Sequence, residues 1–274
     1  MSNRWFWIGI VTALTMAIGI GGVCGQFPLE TSKSIGPWAF RGDQPIAGDF
    51  DLDGLIDDIG VFRPSNNTWY FDYDASGNTD RSMTPWANSG DLAIAGDFDG
   101  DGFKDDIGVF RPSNRMWYFD YDASGNTDRS IGPWANRGDL PIAGDFDGDG
   151  FKDDIGVFRP SNRMWYFDYN ANGNTDKSMG PWANSGDLPI AGEMYTGSSK
   201  DSVGVFRPSD RIWYFDPDLD GDTDETMGPW GIEGDLPVTG DFDFDLPTDG
   251  FAGDLGVFRP STRTWYFSRA VFVY

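Results

Sequence analysis

Apolar residues along this chain fall in short clusters, separated by segments rich in Gly, Pro, Asn and Asp. Within a cluster the spacing is that of a β-strand. In Met164–Asp168, Trp165 and Phe167 share one face and Tyr166 takes the other. The same pattern predicts strands over Leu140–Phe146, Ile155–Arg159 and about Lys177–Trp182, with Asn184–Gly186 turning the chain onward. Beyond residue 25 no stretch carries the apolar period of a helix, so the pattern predicts an all-β fold.

The pattern also repeats. Pro-Trp recurs at Trp38, Trp86, Trp134, Trp182 and Trp230, each 48 residues from the last. Trp-Tyr-Phe begins at Trp69, Trp117, Trp165, Trp213 and Trp265, the last step being 52 residues because of an insertion around Leu246–Gly250. Phe-Arg-Pro recurs in phase at Phe62, Phe110, Phe158, Phe206 and Phe258. Five copies of four short strands, a to d, match either the blades of a propeller or the units of a stacked array. The ends of the pattern favour the propeller. Thr31–Trp38 is a d-type segment standing before the first a strand, and the fifth copy stops after its c strand at about Thr264–Phe267. In a five-bladed β-propeller the N-terminal strand completes the last blade and removes the open edge. A stacked array would need polar caps at both ends, which the sequence lacks.

Trp5–Val23 is an almost unbroken apolar run, preceded by Arg4 as the only charge. That order is the layout of a secretory signal, cleaved after Gly25, and it leaves residues 26–274 as the propeller domain. The run is also long enough to span a bilayer, so anchoring through residues 5–23 is the alternative. Cys24 raises lipidation as a third course, which the preceding Val23 disfavours. Each of these expectations puts the protein outside the cytoplasm, secreted or at the cell surface.

Removing the leader takes away Arg4 and the only Cys, and moves the formal charge from −24 to −25. Such acidity argues against nucleic acid as a partner. The kind of acid is more informative: of 44 acidic residues only Glu30, Glu193, Glu225 and Glu233 are Glu. An excess of Asp points to turns and metal loops, where a short carboxylate must lie close to the backbone. With no His anywhere in the chain, catalytic triads of the usual kind and His-ligated zinc sites are absent. A catalytic carboxylate pair should break the repeat, whereas these Asp residues follow it, so an enzyme is not expected.

Between strands a and b the second copy reads Asp97-Phe-Asp99-Gly-Asp101-Gly102-Phe-Lys-Asp105. Carboxylates at positions 1, 3 and 5, a turn glycine at 6 and Asp at 9 curl oxygen ligands around one point, as a Ca2+ ion requires. The first copy offers Asp49, Asp51, Asp53 and Asp57, and the third Asp145, Asp147, Asp149 and Asp153. An acidic pair follows each loop (Asp105-Asp106, Asp153-Asp154), and either member can close it. The fourth copy, from Glu193 to Ser198, has lost most ligands, and the fifth keeps Asp241, Asp243, Asp245 and Asp249 with Leu246 at the turn position. A second acidic series follows strand c: Asp72, Asp74, Ser76 and Asp80; Asp120, Asp122, Ser124 and Asp128; Asp168, Asn170, Asn172 and Asp176; Asp216, Asp218, Asp220 and Asp224. These are metal loops or plain Asx turns.

The run Ile-Ala-Gly-Asp-Phe-Asp-Gly-Asp-Gly, followed by Asp-Ile-Gly-Val-Phe-Arg-Pro, resembles the FG-GAP and VCBS-type repeats of integrin α-subunit propellers and of many secreted microbial proteins. The resemblance covers all five copies, although integrin-like propellers have seven blades. It implies calcium-binding blades and a binding or adhesion role at the cell surface, toward a surface protein or polysaccharide. The face opposite the acidic loops gathers the repeated Arg and Trp, which makes a carbohydrate-binding lectin the alternative. A polysaccharide-active enzyme ranks third. Arg41-Gly-Asp43 and Arg137-Gly-Asp139 spell an adhesion tripeptide, but other copies keep only Gly-Asp, the mark of a turn.

Overall fold

Strand c sets the architecture, because its Trp and Phe side chains all point one way and need a second sheet to cover them. A computed structural model describes residues 29–83, 85–194, 198–242 and 253–268. The segment expected to be a signal or anchor, Tyr195, Asp243, Asp245, Asp249 and the insertion around Leu246 lie outside the described residues. The strands run β1 Lys33–Ile35; β2 Gln44–Gly48, β3 Asp58–Arg63, β4 Thr68–Asp72 and β5 Arg81–Met83; β6 Leu92–Gly96, β7 Asp106–Arg111, β8 Met116–Asp120 and β9 Arg129–Ile131. They continue as β10 Leu140–Gly144, β11 Asp154–Arg159, β12 Met164–Asp168 and β13 Lys177–Met179; β14 Leu188–Gly192, β15 Ser202–Arg207, β16 Ile212–Asp216 and β17 Glu225–Met227; and β18 Leu236–Gly240, β19 Asp254–Arg259 and β20 Thr264–Ser268. They form five antiparallel sheets of four strands, a five-bladed β-propeller.

The fifth sheet has the order β1-β20-β19-β18, with Lys33 opposite Phe267 and Ile35 opposite Trp265. The displaced d strand therefore closes the ring. The expected d strands are longer than those observed: in the third blade the ladder stops at Met179. Pro181 has no amide to continue it, and the Trp182 amide bonds back to the Arg163 carbonyl at 2.8 Å. The a strands also stop early, at the repeated Gly, because the following Asp amide is bonded into the neighbouring blade's loop.

Strand b is buried on both faces. In β3, Ile59 and Val61 face one neighbour, while Gly60 and Phe62 face the other. A Cβ on Gly60 would lie 3.0 Å from the Ile46 side chain and 3.2 Å from Phe71, so the glycine makes room for a close-packed layer. In each such layer the Phe-Trp-Phe face of one blade packs on an aliphatic face of the next, Ile-Val in the first three blades, Val203 and Val205 in the fourth and Leu255 and Val257 in the fifth. Phe62, Trp69 and Phe71 cover Ile107 and Val109, and Phe258, Trp265 and Phe267 cover Ile59 and Val61 across the closure.

A ring of hydrogen bonds fastens the layers. The indole N–H groups of Trp38, Trp86, Trp134 and Trp182 donate to the hydroxyls of Thr79, Thr127, Thr175 and Thr223 in the following blade, at 2.9–3.1 Å. The fifth link runs from Trp230 to Thr31, in the segment before β1, at 3.1 Å. Removing residues 29–38 should leave β20 as a bare edge, unlink Trp230 and lower the melting temperature by more than 10 °C, given that about 1 kcal/mol moves a domain of this size by some 2–4 °C. Differential scanning calorimetry of that truncation checks the closure, and unchanged melting would disprove it.

Candidate metal centre

The a–b hairpins are organised by their first carboxylate. Asp49 is almost fully buried at the end of β2, and its two oxygens accept the amides of Asp53 and Gly54, each at 3.0 Å. Asp97 accepts Gly100, Asp101 and Gly102, and Asp145 accepts Gly148 and Gly150. The carboxylate at position 3 accepts the amide at 5, and that at 5 accepts the amide at 7, as in Asp51 with Asp53 and Asp53 with Leu55. This winding requires a left-handed backbone at position 6, where Gly54, Gly102 and Gly150 have φ of 94°, 99° and 98°. The result in each loop is a set of oxygens from positions 1, 3 and 5 lying within 4.8 Å of one another. Those clusters are Asp49, Asp51 and Asp53; Asp97, Asp99 and Asp101; and Asp145, Asp147 and Asp149.

The two members of each acidic pair have separate tasks. Asp58, Asp106 and Asp154, at position 10, are buried at the start of strand b, and one oxygen of each accepts the amide at position 3, at 2.9–3.0 Å. They latch the loop to the sheet. Burial pushes each of them up to about 8, with neighbouring carboxylates adding to the shift. Asp57, Asp105 and Asp153, at position 9, lie beside the loop itself. Burial and then the carboxylate at position 5 raise them to about 6, 7 and 6. One oxygen of Asp153 is buried without a hydrogen-bond partner. An all-oxygen set with an orphaned carboxylate oxygen at its edge fits a hard cation, and these clusters can hold a metal ion.

The loops are also chained around the ring. The amide of Asp49 bonds the Lys104 carbonyl of the next blade, Asp97 bonds Lys152, and Asp241 bonds Ile56 across the closure, at 2.8–3.0 Å. The fourth copy departs from this scheme. There Asp201, at position 9, is buried and turned to the Lys152 ammonium of the third blade, at 2.8 and 3.0 Å, and it also accepts the Asp145 amide. In the fifth copy only Asp241 of the expected ligands lies among the described residues, where it is buried.

The c–d hairpins repeat the winding. Asp72 accepts the amides of Ser76 and Gly77, Asp120 those of Ser124 and Gly125, Asp168 those of Asn172 and Gly173, and Asp216 those of Asp220 and Gly221. Oxygens of Asp72, Asp74 and Asp80 converge, as do those of Asp120, Asp122 and Asp128. Two features distinguish this series. Asp80 and Asp128 latch the amides of Tyr73 and Tyr121. The carbonyls at positions 3 and 4 are already capped: Arg81 donates to those of Asp122 and Ala123, and Arg129 to those of Asn170 and Ala171. In the fourth copy burial raises Asp216 to about 7, while Asp218 and Asp220 lie close enough to add to the shift.

On the opposite face the repeated Arg residues are paired. Arg63, Arg111, Arg159, Arg207 and Arg259 each grip the buried Asp of the Gly-Asp turn in their own blade, with contacts of 2.7–2.8 Å. Each guanidinium also stacks on the Tyr of strand c, 4.0–4.3 Å from the ring centre. Asp43 and Asp139 of the two Arg-Gly-Asp triplets are therefore locked inside, and the triplets are turns. The repeated Pro-Trp indoles are buried too, packed 5.5–5.8 Å from the Trp of strand c.

No family model matches this chain, and no curated protein matches it. Among solved structures, the fold resembles a glutaminyl cyclase from Myxococcus xanthus, with a TM-score of 0.54 and 8% identity over 89% of this chain and 98% of the other. A structure of BBS1N in complex with ARL6DN matches with a TM-score of 0.45 and 7% identity, covering 89% and 97% of the two chains. At such identities the likeness concerns the fold alone.

The raised carboxylates set a pH test for the metal-free protein. A carboxyl group whose folded value exceeds its unfolded one destabilises the fold when charged, and the penalty fades as pH falls through the folded value. With Asp58, Asp106 and Asp154 near 8, the chelated protein should melt at a higher temperature at pH 5 than at pH 8. A melting temperature that instead falls as the pH is lowered from 8 to 5, measured by calorimetry in chelator, would show these groups to be stably ionised.

Proposed function

We propose that this chain is a calcium-stabilised propeller of FG-GAP/VCBS-type repeats that acts outside the cytoplasm as a non-catalytic binding module for a surface protein or polysaccharide. The observation that carries this reading is the recurrence of one carboxylate geometry, in phase, at the same end of successive blades. Oxygen-only donors at flexible spacing suit calcium better than softer metals or the strict octahedron of magnesium. The leader-like run over residues 5–23 supports export. The Arg and Trp of the other face are engaged in ion pairs and inter-blade packing, which favours a scaffold over a row of equivalent sugar-stacking pockets.

Calcium that binds only the folded state adds RT ln(1 + [L]/Kd), about 2.7 kcal/mol per site at a hundredfold excess over Kd. Three intact a–b loops would then contribute stability of the order of a whole domain's net value, about 5–15 kcal/mol. Chelation should therefore lower the melting temperature sharply, and more so at low salt, where carboxylate repulsion is least screened. Asp99→Ala and Asp147→Ala should each remove one site from a calorimetric calcium titration. If the chelator-treated protein takes up no calcium and melts as before, the loops are turns and the proposal fails.

A further inference from the structure

The first three a–b loops carry apolar tips. Leu55, Phe103 and Phe151 follow the turn glycine, at position 7. Phe103 is 36% exposed and Phe151 42%, while Leu52, at position 4 of the first loop, is 53% exposed. Phe151 leans toward position 4 of the second loop, since a Cβ on Gly100 would lie 4.0 Å from its ring. By the same repeat Phe103 stands beside position 4 of the first loop, where the residue is Leu52. The loop face thus bears an apolar stripe across three blades.

The winding of the loop uses only the amide of position 7, which donates to the carboxylate at position 5. Its side chain can be polar, and in the fourth loop it is Ser199. That is also the loop that has lost most of its carboxylates. Apolar tips and carboxylate clusters therefore occur in the same loops and are lost together. Phe40, on the other face, is exposed as well, but Arg63 stacks on its ring at 4.1 Å. Phe103 and Phe151 carry no such cover among the described residues.

The described chain also enters at the loop end. Thr31 holds the Trp230 indole as Thr79, in the first c–d hairpin, holds that of Trp38, at 3.1 Å in both. Between the leader-like run and Leu29 stand residues 24–28, which can span at most about 18 Å. A run retained in a bilayer would hold the loop face, and not the Arg face, toward the lipid.

We propose that these apolar tips insert into the headgroup region of a membrane bearing anionic phospholipids, once calcium occupies the carboxylate clusters beside them. The proposal rests on the calcium reading of the loops. Without the ion, clustered carboxylates are repelled by anionic headgroups. A bound calcium removes that repulsion, and as an ion that takes 6–8 oxygens it can share phosphate oxygens with the membrane. Phe and Leu are side chains that settle at the boundary between headgroups and acyl chains.

A fluorophore on Leu52→Cys, in the full chain carrying Cys24→Ser, reports on the loop face, and one on Ser113→Cys reports on the opposite turns. Vesicles of phosphatidylserine and phosphatidylcholine with a nitroxide lipid should quench the first label in calcium but not in chelator, and should leave the second bright. Phe103→Ser and Phe151→Ser should each raise the vesicle concentration needed about tenfold through lost apolar contact, while Phe103→Leu keeps most of the response. Because quenching is read at each face, the test holds whether or not residues 5–23 already tether the chain to the vesicle. Equal quenching of both labels, quenching in chelator, or an equal response to phosphatidylcholine alone would each overturn the proposal. So would a calcium-dependent dimer formed without lipid, which would place a second copy on this face. A calorimetric calcium titration of the same protein separates the two readings. Uptake without quenching overturns insertion alone, and no uptake overturns both.

Discussion

Every blade is a sheet with two apolar faces, and neither face can be left in water. The Phe-Trp-Phe face of strands b and c needs an aliphatic face beside it, and that blade brings a Phe-Trp-Phe face of its own. Burying one such aromatic side chain contributes some 1.5–3 kcal/mol, so an uncovered layer would cost far more than the net stability of a domain. The sequence offers no blade with a polar outer face. The arrangement must therefore come back on itself, and the ring, the Trp-to-Thr bonds and the placement of the N-terminal strand all follow from that requirement.

The turns at the two ends of the blades solve different electrostatic problems. Away from the acidic loops, each buried Asp meets an Arg whose guanidinium also lies flat on a Tyr, so charge is balanced within the blade. Truncating either partner of such a pair leaves an uncompensated charge, at a cost of about 3–5 kcal/mol. Among the described residues the position 1, 3 and 5 carboxylates of the first three a–b hairpins make no ion pair with a basic side chain, and backbone amides hold the first carboxylate. The fourth a–b loop is the exception. There a lysine from the preceding blade meets the acid at position 9, and the cation is supplied by the protein itself.

Much of this was legible in the residues. Alternation in Trp-Tyr-Phe and the phase of Pro-Trp identify the blades, and the d-type segment at Thr31–Trp38 identifies the closure, because both depend on local pattern. The clustering of the loop carboxylates could be read for the same reason. The roles within the acidic pairs could not, since Asp105 and Asp106 are alike until the backbone turns one toward the loop and the other into the sheet. The Arg–Asp pairs also escaped notice, although Arg-Pro and Gly-Asp recur in phase, 20 residues apart in the first four blades. Their contact depends on how strand a folds back along strand b.

The fastening of β1 to β20 has a consequence for how the protein is made. Ser32 and its acceptor Phe267 are 235 residues apart, so the first of the described strands waits for the last. Until then the growing chain carries completed sheets whose outermost faces and edge are bare, a state prone to association with other chains. Contacts of such separation also make folding slow. A ribosome that stalls or terminates shortly before Thr264 would release a product with nearly all of its blades and no means of sealing them. The codons for Thr264–Ser268 thus decide whether a sealed ring or one with bare faces emerges.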